Sequence, residues 1–151
     1  MTVREYLNFM YDLKKCALPR QRHIAEICKV LKIEDVYGRL IKNLSKGYKQ
    51  RVGIAQAILG NPEVIILDEP MVGLDPHTAN QVRRFFYEHS RSGNLVIFSS
   101  HNLDTVEKVC DRVYIIDQGR ILQEIDMAAF KSPGCSLENY FLLITQRVAK
   151  V

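Results

Sequence analysis

The sequence predicts an α/β protein, with a parallel sheet flanked by helices and an α-helical subdomain ahead of it. Three observations carry this. Residues 64–67 are a continuous apolar run of strand length, rich in β-branched residues, and residues 94–99 (Asn-Leu-Val-Ile-Phe-Ser) read as a second strand with an apolar centre. Such runs mark strands buried on both faces, as in parallel sheets covered by helices. Strand and helix signals alternate after residue 62, the order that right-handed crossovers require. The first 60 residues contain helical patterns and no convincing strand.

Taken in order, residues 2–16 read as a helix. Thr2 supplies a cap and Glu5, three positions on, its reciprocal partner. Val3, Tyr6, Leu7, Met10 and Leu13 fall near helical spacing. Pro19 suits the first turn of a second helix, whose apolar face is Ile24, Ile27, Cys28 and Leu31. Ser45 caps a third, over residues 46–59, with Val52, Ile54, Ala55, Ala57, Ile58 and Leu59 on its face. Gly60-Asn61-Pro62 stops it. The strand at 64–67 follows, then a helix over 77–90 carrying Val82, Phe85 and Phe86, and the second strand at 94–99. A short helix spans 103–109, with His101 or Asn102 near its start. Two strands, 113–117 and 120–125, are joined by the tight turn Gln118-Gly119. Helices at 126–131 and 136–147, separated by Ser132-Pro133-Gly134, close the chain. The domain reading is a helical subdomain over 1–60 and an α/β part over 61–151.

Length and composition fit one ordinary core, with 47% apolar and 25% charged residues. No apolar run approaches the ~20 residues that span a bilayer, and the first residues lack a secretory signal core. Cys16, Cys28, Cys110 and Cys135 are scattered without a C-x-x-C pair, as expected of reduced thiols packed as small apolar residues. The net charge of +4 is uneven: residues 1–60 carry 12 Lys/Arg against 5 Asp/Glu, and residues 61–151 carry 9 against 12. Few aromatics interleave with the basic residues and no Arg-rich block forms, which argues against a nucleic-acid groove.

Four short pieces carry the chemistry. Asp68-Glu69 ends the first apolar strand, where open α/β sheets bind their ligands. Asp68 there suits Mg²⁺, usually through water, and Glu69 suits taking a proton from an attacking water. Gly73-Leu74-Asp75-Pro76 forms a turn just beyond. Ser99-Ser100-His101 follows the second strand, so parallel pairing brings His101 to the same sheet edge, where an imidazole can hold a terminal phosphate oxygen. Leu44-Ser45-Lys46-Gly47-Tyr48 opens a helix. Its Ser45 hydroxyl, bare Gly47 backbone and helix dipole make an anion site, with Lys46, Lys49 and Arg51 adding positive charge.

Together these pieces resemble the ATPase subunit or domain of ABC transporters, a P-loop NTPase of RecA-like fold. Residues 44–51 resemble the family's signature motif, usually L-S-G-G-Q. Residues 64–69 resemble Walker B, Val72-Gly73-Leu74-Asp75 the D-loop, and Ser99-Ser100-His101 the switch histidine. The resemblance implies Mg²⁺ at Asp68, a general base at Glu69 and a γ-phosphate contact at His101. It further implies that Ser45, Lys46, Gly47 and Tyr48 face the ATP of an opposite subunit, with Asp75 at the dimer interface. The implied cofactors are ATP and Mg²⁺. The implied partners are a second ATPase subunit, arranged head to tail, and a transmembrane permease at the cytoplasmic face of the membrane.

Two departures stand out. Lys46 and Tyr48 replace the usual Gly and Gln of the signature. The Lys-Gly-Tyr variant is similar to ATPases of the exporter branch, and contacts through the Gln side chain are lost with it. The 151 residues also contain no Gly-x-x-x-x-Gly-Lys-Ser/Thr loop and no Q-loop, which the family carries N-terminal to these motifs. The expectation is therefore a C-terminal part of the ATPase, inactive alone, with an apolar sheet face uncovered. The alternative is a module that lends its signature helix in trans to a complete subunit; an in-frame phosphate loop encoded upstream excludes it. Relatives that act on chromosomes carry long coiled-coil heptads beside these motifs, and none is present here.

Overall fold

The structure, a computed structural model, describes residues 1–130 and 136–148. Cys135, Ser132-Pro133-Gly134 and the last residue of the helix expected over 126–131 lie outside the described residues. The chain divides into two compact units, Met1–Ser99 and Ser100–Val151.

The first unit begins with α1 (Val3–Leu13). Its capping box is complete: Glu5 N–H donates to Thr2 Oγ1 at 3.2 Å, and Thr2 N–H donates to Glu5 Oε2 at 2.8 Å. The helix ends before residue 16 because Lys15 takes a positive φ of 52°. Lys14 then swings its ammonium onto the Gln56, Ala57 and Leu59 carbonyls. These belong to the end of α3 (Lys46–Ile58), where a cation offsets the helix dipole.

Between them lies α2 (Arg20–Leu31), with Pro19 as its N-cap residue and Ile24, Ile27, Cys28 and Leu31 buried as the periodicity predicts. Two short 3-10 turns, Glu34–Val36 and Ile41–Asn43, lead to Ser45. An isolated antiparallel bridge, Thr2 to Leu40, is the only sheet-like pairing described in the first 60 residues. Ser45 caps α3, accepting the Tyr48 N–H at 3.4 Å.

The strands β1 (Val64–Leu67) and β2 (Leu95–Phe98) pair in parallel, Val64 opposite Leu95 and Leu67 opposite Phe98. They are joined through α4 (Pro76–Arg91). One buried cluster runs from Val3 and Leu7 through Leu31, Ile54, Ile58 and Ile65 to Val82 and Phe86. The helical segment and the first strands thus share a core, and the reading of a division at residue 60 does not coincide with the division between compact units.

The sheet departs from expectation in one respect. Ile65 is buried, but Val64 is 50% and Ile66 71% exposed. The run is therefore not buried on both faces: α3 and α4 pack on the Ile65 side. In β2, Leu95 and Ile97 are likewise half exposed, and the parallel register sets them beside Val64 and Ile66. The four residues form one exposed apolar face of the two-strand pair.

His23, His77 and His89 lie in or at helices, where the sequence alone reads a polar side chain as a surface residue, and two of the three depart from that reading. His77 is exposed. His89 is buried, stacked on Phe85, with Nε2 2.8 Å from the Pro62 carbonyl. His23 is half-buried and its Nε2 accepts the Gly60 N–H at 2.9 Å. Both serve the turn at residues 60–62, whose Gly60 and Asn61 take positive φ and leave backbone groups to be satisfied.

The second unit holds α5 (Leu103–Val109), β3 (Arg112–Asp117), β4 (Arg120–Asp126), α6 (Met127–Phe130) and α7 (Leu137–Val148). Asn102 caps α5 through the Thr105 N–H at 2.8 Å. The strands form an antiparallel hairpin with an irregularity between Ile115 and Ile116. Its turn needs positive φ at both central residues, and Gln118 and Gly119 adopt 46° and 75°. Cys16, Cys28 and Cys110 are free thiols. Burial pushes the Cys28 and Cys110 thiols up to about 11, with Glu34 and Asp111 adding to it. No helix among the described residues is long and apolar enough to cross a membrane.

Candidate functional site

Two groups of side chains meet within the first unit. The first lies where β1 ends. Parallel pairing carries past Leu67 and Phe98, because Ser99 N–H donates to the Leu67 carbonyl at 3.0 Å. Ser99 therefore falls beside Asp68, and its hydroxyl donates to Asp68 Oδ1 while accepting the Glu69 N–H at 2.9 Å. Glu69 adopts φ 44°, a left-handed conformation rare for a residue with a β-carbon. Such backbone persists only where its surroundings hold it. Ser99 holds the Glu69 amide, and Gln50 Nε2, reaching from α3, donates to the Glu69 carbonyl at 3.0 Å. Asp68 is exposed at the end of the strand and Glu69 is half-buried.

Among the described residues no three His, Cys, Asp or Glu side chains gather around one point. Asp68 brings a single carboxylate, a donor set that fits a Mg²⁺ ion keeping most of its ligands as water and phosphate oxygens.

The second group surrounds the start of α3. Ser45 and Lys46 are exposed, and Gly47 and Tyr48 are half-buried. Gly47 lies against the turn after β1: a β-carbon on it would stand 2.6 Å from the Gly73 carbonyl oxygen. Gly73 itself takes φ 77°. The Tyr48 hydroxyl donates to Asp35 Oδ2 at 2.6 Å, and the Arg51 guanidinium lies 4.9 Å over the Tyr48 ring. Arg51 Nη2 pairs with Asp75 Oδ2 at 2.5 Å and Nη1 donates to the Lys32 carbonyl at 3.2 Å. Asp75 also caps α4, its Oδ1 accepting the His77 and Thr78 N–H groups at 3.1 and 3.0 Å and its Oδ2 the Thr78 hydroxyl at 2.6 Å. The Thr78 bonds, then Arg51, hold the Asp75 carboxyl down to about 2.

The structure thus joins Asp68 and Glu69 in one place and links Gly47, Tyr48 and Asp75 in another. His101 belongs to the second unit, exposed beside Ser100, whose hydroxyl accepts the Asn102 N–H at 3.1 Å. The sequence reading missed Ser99, Gln50, Asp35 and Thr78 as supporting residues, and counted Arg51 as free positive charge. Ser99 had a signal, since its position relative to Asp68 follows from the strand register. The others meet only through tertiary folding.

Comparison with solved structures shows what this fold is. It matches the ATP-binding subunit of an ABC transporter with a TM-score of 0.84 at 26% identity, over 96% of this chain and 62% of that one. The dimeric ATP-binding cassette MJ0796, solved with ADP and Pi, shares the fold with a TM-score of 0.75 at 23% identity, over 84% of this chain and 57% of that one. The fold is therefore that of ABC ATPase domains. The ABC transporter family profile matches residues 1–72. The bacitracin transport ATP-binding protein BcrA of Bacillus licheniformis is 37% identical over 126 residues, 83% of this chain and 40% of BcrA. An uncharacterized ABC transporter ATP-binding protein of Synechocystis is 38% identical over 125 residues, 81% of this chain and 35% of that protein. The chain belongs to the ABC transporter ATP-binding protein family. It spans between a third and a half of the length of these two relatives.

Proposed function

We propose that this chain is the C-terminal part of an ATPase that binds and hydrolyses Mg-ATP in a head-to-tail dimer. On this reading hydrolysis powers export through a transmembrane permease, with the ATPase held at the cytoplasmic face of the membrane by that partner. The observation that carries the proposal is the Asp68-Glu69 pair at the end of a parallel strand, with its backbone pinned from both sides by Ser99 and Gln50.

In this mechanism Asp68 would hold Mg²⁺ through water together with the ATP phosphates, and the ion would supply charge stabilisation at the transferring phosphoryl group. Glu69 accepts a proton from water as the water oxygen bonds to the γ-phosphorus and the bond to the ADP oxygen breaks. His101 bonds a γ-phosphate oxygen. Ser45 and Gly47 present a hydroxyl and backbone N–H groups to the nucleotide held by the opposite subunit, with Lys46 adding charge. Tyr48 belongs to the same motif, and Asp75 lies at the dimer interface. The export direction rests on the Lys-Gly-Tyr form of the motif and is supported by similarity to BcrA, a bacitracin transport protein. The cradle for the α- and β-phosphates comes from outside these 151 residues, so assayed by themselves they hydrolyse no ATP above background.

The test is Glu69→Gln in the complete ATPase. Steady-state turnover is expected to vanish while filter binding still retains ATP. Undiminished turnover would overturn the assignment of the general base.

A further inference from the structure

We infer that Tyr48 acts as a positioning residue, bonded to Asp35 and packed under Arg51 so that the start of α3 is held against its own chain, and that its phenol makes no contact with nucleotide. The inference rests on the reading of Ser45 and Gly47 as an ATP-facing end of α3.

Tyr48 stands where the family motif has Gln, the one side chain of the motif whose contact the substitution removes. The structure shows where the replacement goes. Its hydroxyl donates to Asp35 Oδ2 at 2.6 Å, a charge-assisted bond into the turn Glu34–Val36. That bond is the main reason the phenol's pKa lies above its ordinary value. One face of its ring is covered by Arg51 at 4.9 Å. Arg51 is well buried and fixed at its other nitrogens by Asp75 and the Lys32 carbonyl. Asp35, Tyr48, Arg51 and Asp75 therefore form one continuous set of contacts. It ties the turn after α2, the first turn of α3 and the first turn of α4 into a single body. Gly47 seated on the Gly73 carbonyl closes the same body from the other side.

Positioning and ligand contact predict different kinetics. If Tyr48 only positions the end of α3, losing its hydroxyl leaves ATP affinity alone and slows the step that needs the closed dimer. In the complete ATPase, Tyr48→Phe and Asp35→Ala, which each remove one partner of the bond, are expected to lower kcat about fivefold with KM for ATP unchanged, and the double variant to fall no further than either. The same pair should show coupling in thermal unfolding midpoints, a readout independent of activity. A raised KM in Tyr48→Phe with Asp35→Ala silent would mean that the phenol binds nucleotide, and would overturn the inference. So would additive effects on kcat, coupling absent from unfolding, or unfolding coupling with kcat untouched in both variants. Failure of the functional reading is separate: it appears as turnover persisting in Glu69→Gln, whatever the Tyr48–Asp35 cycle shows.

Discussion

Gly47 and Gly73 approach so closely that a β-carbon on Gly47 would lie 2.6 Å from the Gly73 carbonyl oxygen. Gly47 is therefore required by its own chain. A glycine in an anion-binding turn is ordinarily explained by close approach of the ligand to bare backbone. Here the first constraint is packing between the start of α3 and the turn that leads to α4, and it applies with no ligand present.

Gly47→Ala should accordingly destabilise the first unit by about 1–3 kcal/mol, since a backbone carbonyl must shift to admit the methyl. Gly53, also in α3, is the control: nothing lies within 4 Å of its would-be β-carbon and it is exposed. Gly53→Ala should stabilise by about 0.4–1 kcal/mol through helix propensity and a less flexible unfolded chain. Urea unfolding of the two variants decides the matter. Equal effects at both positions would show that the Gly73 contact imposes nothing.

Ser99 is the hinge of the strand-end geometry. Its hydroxyl serves Asp68 and Glu69 at once, so Ser99→Ala removes a donor and an acceptor together. The site is exposed, and the expected loss of stability is about 0.5–1.5 kcal/mol. The larger consequence is local. With its amide released, Glu69 keeps only the bonds to its carbonyl, from Gln50 Nε2 and the Val72 N–H, to hold its positive φ. Hydrogen exchange at the Glu69 amide should accelerate in Ser99→Ala and stay near normal in Ser99→Thr, which keeps the hydroxyl.

His23 gives a pH dependence whose direction is set by geometry. Its Nε2 accepts the Gly60 N–H, which requires the neutral ring, and burial lowers its pKa from 6.5, partly opposed by Glu26. The unfolded chain therefore binds the proton at higher pH than the folded one. This stabilisation is fully present above the ordinary value of 6.5 and is lost as the pH falls below it toward the lowered folded value. His23→Gln, which keeps an acceptor but does not titrate, should flatten that part of the stability profile. An unchanged slope would remove His23 as its source.

Much of this arrangement is legible in the sequence because it is local. Thr2 and Glu5 lie three residues apart, and Gln118-Gly119 carries its own turn chemistry. Asp68-Glu69 is recognisable because an apolar run stops at two carboxylates. The contacts that fix the site are of another kind. Tyr48 meets Asp35, Arg51 meets Asp75 and Gly47 meets Gly73 only after α2, α3 and α4 have packed, and none of these pairs has a spacing that announces it. The histidines escape the sequence for the same reason: His23 and His89 look like polar positions on their helices until the Gly60–Pro62 turn is placed beside them. Residues 64–67 show a further limit. A continuous apolar run states that both faces prefer burial, but it does not state which chain segment supplies the cover.

That exposed preference leads to the last expected outcome. Val64, Ile66, Leu95 and Ile97 share one face of the β1–β2 pair, and Ile66 is 71% exposed. Contiguous apolar surface of this kind attracts a partner or promotes association. The 151-residue chain should bind an apolar-surface dye and self-associate as its concentration rises. Replacing Ile66 and Ile97 together by Thr keeps β-branching, and so strand propensity, while removing apolar area. Dye binding should then drop, and sedimentation should shift toward the monomer, with circular dichroism unchanged. The opposite face provides the contrast: Ile65 is buried in the cluster with Val82 and Phe86, and Ile65→Thr should lower stability without reducing dye binding. A parent chain that is monomeric and silent to the dye would show that this face is satisfied in solution, and the argument from its exposure would fail.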